Sequence, residues 1–84
     1  MIDQDIKIFV LKTLQAADGQ PMSSETLVSA VANRFSHVAL TMADIRQVIQ
    51  SSEAQGLISG TNDEVLGVMW ALTPKGKIKA QQLK

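Results

Sequence analysis

Apolar residues recur along this chain at two spacings, and the switch between them lays out its elements. Ile2, Ile6, Phe9, Val10, Thr13, Leu14 and Ala17 share one face at helical spacing. They predict a first helix from about Gln4 to Ala17, with Asp3 as N-cap and Asp18-Gly19 as its stop. Ile8 and Leu11 fall on the other side, beside Gln4 and Gln15. Gln20-Pro21-Met22 predicts a short extended or edge-strand segment, because proline cannot donate to a ladder. Ser23 caps a second helix running to about Phe35, with Glu25 in its first turn and Leu27, Ala30 and Val31 facing inward. A turn through Ser36-His37-Val38-Ala39-Leu40 leads to a third helix, Thr41 to Gln55, closed by Gly56. Its opening Thr41-x-x-Asp44 has capping-box spacing, and Ile45, Val48, Ile49 and Ser52 form its inner face.

Beyond Gly56 the period shortens to two. Leu57-Ile58-Ser59 reads as one strand, Thr61-Asn62-Asp63-Glu64 as a polar turn, and Val68-Met69-Trp70-Ala71-Leu72 as a second strand. Val68, Trp70 and Leu72 share a face, and Trp70 is expected to pack beneath the hairpin; an exposed Trp70 would instead mark a binding surface. Thr73-Pro74 then starts a last helix, since threonine caps and proline suits the first helical position. Ile78 and Leu83 are its expected anchors. The expected fold is mainly α with a small β-hairpin, in a single domain spanning residues 1–84.

Composition narrows the function. The chain has 84 residues, 45% of them hydrophobic, and no cysteine. That is enough for one small core, without disulfide or thiolate chemistry. The start Met1-Ile2-Asp3-Gln4-Asp5 is acidic where a secretion signal would be basic, and the longest near-apolar run, Val65 to Leu72, is too short to span a bilayer. A soluble cytoplasmic protein with no membrane association is expected. Eight basic and eight acidic residues give zero net charge, whereas nucleic-acid binders usually carry a basic footprint. The positive charge is clustered, with Lys75, Lys77, Lys79 and Lys84 in a tail without acids.

Catalytic and metal chemistry find little support. One histidine, His37, and no cysteine leave no nucleophile–base pair. Scattered acids make no zinc or calcium ligand set, and the glycines punctuate turns and helix ends. No enzyme activity, metal, cofactor or small-molecule ligand is expected.

The order helix, short strand, helix, turn, helix, hairpin, helix resembles the winged helix-turn-helix superfamily. Locally the chain looks most like MarR- and PadR-type regulators. Leu57-Ile58 after Gly56 is similar to their "GLI" phrase, and Leu72-Thr73-Pro74-Lys75-Gly76 to their "LTxKG" phrase at the exit of the wing. Ser23 to Val31 is similar to their second helix, and the resemblance covers roughly residues 5 to 80. It implies a three-helix core, a two-stranded wing, a short C-terminal helix, and binding of double-stranded DNA with helix 41–55 as recognition helix. Two features depart from those families: there is no room for their long dimerisation helices, and the wing tip Thr61-Asn62-Asp63-Glu64 is acidic where theirs carries arginine or lysine.

On that reading Arg46, Gln47 and Gln50 would read bases, since arginine pairs with guanine and glutamine with adenine. Small Ala43, Ser51 and Ala54 would allow close approach, and Ser24, Thr41, Lys75 and Lys77 would touch phosphates. The same face can equally be plain solvated helix, because Arg and Gln are good helix formers. Ile8 and Leu11, on the side away from the core, suggest a homodimer packed through helix one, to which Ile58 and Met69 could add. The alternative function is a winged helix used as a protein-interaction module or accessory subunit. Neutral charge, the acidic wing tip, Ile8 and Leu11 favour it.

Overall fold

Helix ends in this chain are set by local side-chain chemistry, so their positions follow the sequence closely. The computed structural model describes residues 2–17 and 20–83, without the side chains of Ile2 and Asp3. Its elements are α1 (Ile2–Ala16), β1 (Met22–Ser23), α2 (Ser24–Arg34), α3 (Met42–Ala54), β2 (Ile58–Asp63), β3 (Gly67–Leu72) and α4 (Pro74–Gln82). The Ser23 hydroxyl accepts from the Thr26 N–H at the start of α2. At α3 both halves of the capping box form: Thr41 Oγ1 accepts from the Asp44 N–H, and Asp44 Oδ2 from the Thr41 N–H. The other end of α3 closes on Gly56, whose φ of 77° is the left-handed conformation glycine adopts at little cost. There Gly56 N donates to Glu53 O and Leu57 N to Ser52 O, satisfying two of the carbonyls a helix end leaves open. Asp3 lies within α1 rather than at its cap position, and the expected stop at Asp18-Gly19 lies outside the described residues.

The three strands form an antiparallel sheet in the order β1-β3-β2. Pairing Met22 with Trp70 makes β1 an edge strand with Pro21 just outside it. Ile58 pairs with Leu72, Gly60 with Trp70 and Asn62 with Val68. Ile58, Trp70, Leu72 and Val68 therefore face the core together. The expectation that Ile58 joins Met69 on the outer face is corrected: Ile58 is buried at 1% exposure. Trp70 packs under the hairpin, buried, with its ring against Gly60.

α1 is the central post of the helical layer. It touches α2, α3, α4 and β3, so its buried arc is wider than a one-sided helix would need. Ile6, Val10, Leu11 and Leu14 are all buried, while Phe9 is half-buried against the same cluster. This overturns the placement of Leu11 on the outer side: the arc is rotated toward it because α3 and α4 both close over α1. In α2 it is Val28, not Ala30, that joins Leu27 and Val31 inside.

Two further expectations change. β2 runs on through Asp63, and the turn is Glu64-Val65-Leu66, because Thr61, Asn62 and Asp63 remain in register with Met69, Val68 and Gly67. Asp63 Oδ1 accepts from the Val65 N–H at 2.8 Å and the Leu66 N–H at 2.9 Å, and Gly67 takes φ 81° to re-enter the sheet. The bond from the Leu66 amide, then that from Val65, holds the Asp63 carboxyl below its ordinary value of 3.8. A lowered folded value means that its contribution is present above the unfolded value and is lost as pH falls through the folded one. The Val65 and Leu66 amide resonances are therefore expected to titrate together below pH 3.8, and Asp63→Asn to abolish that titration while keeping the acceptor. A midpoint at the ordinary carboxylate value would remove the turn bonds from solution.

In α4, Gly76 and Ala80 face inward with half-buried Leu83, and Ile78 is 60% exposed. The expected anchor Ile78 thus points out, because α4 packs through its small residues.

Candidate nucleic-acid interface

α3 is held at both ends before any partner is considered. At its start sits the capping box. At its finish, Thr73 Oγ1 donates to the Gly56 carbonyl with the Leu57 carbonyl also at 3.1 Å, and accepts from the Gly76 N–H at 3.0 Å. Thr73 N donates to Leu57 O as well, and Lys75 Nζ donates to Gln55 O at 3.0 Å. A cation on the carboxyl end of a helix also offsets its dipole. From α1, Lys7 Nζ reaches Gln55 Oε1 at 3.2 Å and Ser51 Oγ at 3.5 Å. On the inner face the Ser52 hydroxyl is satisfied by Val48 O. The axis and roll of α3 are thus fixed relative to α1, the hairpin and α4.

This leaves Ala43, Arg46, Gln47, Gln50 and Ala54 exposed on the outer face, brought together by helical periodicity. Arg46 and Glu53 lie seven residues apart on one flank, so the face is close to neutral. Ser51 stands apart: it is half-buried on the flank toward α1 and engaged by Lys7. The Thr41 hydroxyl is occupied by its own cap, and Ser24 is the half-buried first residue of α2. Lys75 is committed to the end of α3, while Lys77 and Lys79 are exposed on α4; Lys84 lies outside the described residues.

Of the expected dimer contacts, Leu11 is withdrawn, since at 1% exposure it belongs to the chain's own core. Ile8 is half-buried beside Phe9, Phe35 and His37 in an open groove. There the Phe9 and Phe35 rings meet edge-on at 5.9 Å, and Arg34 lies 5.5 Å over Phe35. Lys12 donates to Leu83 O and ties α1 to the end of α4. Among the described residues, no three metal-ligating side chains cluster and no helix is long and apolar enough to cross a membrane.

Sequence reasoning missed Lys7 and the apolar wing tip. Nothing local marks Lys7, whose partners are 44 and 48 residues away. The tip was findable: Asp63 and Gly67 frame a three-residue hairpin loop ending in a left-handed glycine.

No family model matches the chain, and no characterised protein matches it in sequence. Among solved structures it is similar to ZitR of Lactococcus lactis. A double mutant in apo form matches with a TM-score of 0.69 at 17% identity, over 95% of this chain and 55% of that one. A second mutant matches with a TM-score of 0.66 at 21% identity, over 93% and 48%. The chain spans about half the length of these structures. Four helices with a three-stranded antiparallel sheet, matched at these scores, make the fold a winged helix.

Proposed function

We propose that this chain is a winged-helix transcriptional regulator, without catalytic activity, that lays α3 in the major groove of double-stranded DNA, two copies reading successive half-sites. The observation that carries the reading is the outer face of α3, clamped at both ends yet exposed and unpartnered among the described residues. Arg46, Gln47 and Gln50 can present donors to base edges there, and Ala43 and Ala54 keep the backbone close. The winged-helix fold, shared with ZitR, supports it. Lys77 supplies phosphate contacts, with Ser24 and Thr41 nearer the helix starts.

An amide-resolved NMR titration with short duplex DNA, at low and then physiological salt, tests this. Shifts on Ala43 to Ala54 that weaken with salt are expected. Arg46→Ala should weaken specific binding by about 1–3 kcal/mol, whereas Lys77→Ala should weaken all sequences alike and reduce the salt slope by about one. No shift on α3 at low salt removes DNA as the partner. It would leave the second reading, a protein-interaction module, which the hairpin tip favours: Asp63, Glu64, Val65 and Leu66 stand where a phosphate-binding wing needs cations.

A further inference from the structure

Among the described residues the exposed large hydrophobics are Met42, Val65, Leu66 and Ile78. Three of these four belong to two patches of opposite charge. Val65, at 88% exposure, and Leu66 form the hairpin tip beside the carboxylates of Asp63 and Glu64. Ile78 stands over a groove of about 370 Å³ between the end of α3 and α4, floored by Leu57 and edged by Gln55, Lys75, Lys79 and Gln82. Lys75, Ile78, Lys79 and Gln82 follow helical spacing, so α4 presents an apolar residue between two ammonium groups on its outer side. We infer that the wing tip of one copy docks in the α3–α4 groove of a second copy, Val65 and Leu66 against Ile78 and Leu57, with Glu64 facing Lys79.

The tip that docks there is a second copy's, because the chain's own tip cannot reach the groove. The groove borders the base of the hairpin, where Ile58 pairs with Leu72. The tip begins five residues further on, at Asp63 paired with Gly67, roughly 17 Å along a continuous ladder at 3.4 Å per residue. Charge complementarity selects the tip: two carboxylates directly precede its apolar pair, and the lysines at 75 and 79 lie on either side of Ile78 along α4. Two copies exchanging wings close into a twofold pair in which each contact occurs twice. The inference deepens the two-copy part of the regulator reading, and its test contains no DNA, so the two fail separately.

The test is sedimentation of the full chain over a concentration series at low salt. The wild-type chain is expected to pass from monomer to dimer as concentration rises. Leu66→Ser and Ile78→Ser should each weaken the dimer by about tenfold or more. Glu64→Lys and Lys79→Glu should each weaken it, and the two together should restore it. All four positions are exposed, so unchanged thermal melts serve as the control for folding. A monomer at every concentration, a dimer indifferent to Leu66 and Ile78, or a double reversal that fails to restore it would each overturn the inference.

Discussion

Gly76→Ala is expected to remove much of this chain's stability, although alanine is the better helix former by about 1 kcal/mol. A Cβ at Gly76 would lie 1.9 Å from the Leu57 carbonyl oxygen and 2.9 Å from its carbon, with Leu72 Cδ2 at 3.1 Å. The first two are backbone atoms and cannot swing aside, so α4 must lift away. Lifting it strains the bonds from Thr73 to Leu57 and the cap from Thr73 to Gly76. Overpacking costs about 1–3 kcal/mol and more against rigid backbone, and each lost hydrogen bond about 1 kcal/mol. Against a total of about 4–13 kcal/mol for a chain of this length, a net loss of about 3 kcal/mol would pull the urea midpoint far down. A Gly76→Ala chain as stable as the parent would show that α4 does not approach Leu57 so closely.

Leu11→Ala follows at about 2–5 kcal/mol, the range for truncating a buried leucine. Leu11 is enclosed where α1 meets the other helices, so its loss should lower the unfolding midpoint and leave the association constant unchanged. Ile8→Ala, at a half-buried position, should cost far less. Were Leu11→Ala to alter self-association without altering stability, Leu11 would belong to an interface and not to the core.

The contrast between these two sites and the helix ends shows what the sequence could reveal. Ser23, Thr41 with Asp44, and Thr73 with Pro74 act over three or four residues, so the second, third and fourth helix starts were legible. The core face of α3 was legible as well, because only one side of that helix is covered. α1 was not, since how far its buried arc extends depends on which helices close over it, and that is settled by contacts distant in sequence. Ile78 misled for a related reason: α4 turns its small residues inward, Gly76 against Leu57 and Ala80 into the core, and the larger residue faces outward. On the candidate interface, periodicity alone put Arg46, Gln47 and Gln50 together. Ser51 is expected to allow close approach and Lys75 to touch phosphates, and their bonds to Lys7 and Gln55 span too much sequence to be foreseen.

The "LTxKG" phrase gains a structural meaning from this junction. Leu72 is packed against the core, Thr73 caps α4 and clasps the end of α3, and Pro74 opens the helix. Lys75 neutralises the last turn of α3, and Gly76 lets the two segments touch. The phrase sets the angle at which α3 is presented, whatever that helix meets.

The contact between Trp70 and Gly60 has an optical consequence. The chain contains one tryptophan and no tyrosine, so its ultraviolet emission comes almost entirely from an indole wedged between the hairpin and the helical layer. Its Nε1–H is enclosed without an acceptor among the described residues, an arrangement that favours short-wavelength emission and slow quenching by solutes. Unseating the wing would admit water to that ring and move the spectrum to the red. The hairpin therefore carries its own unlabelled gauge of whether it is seated.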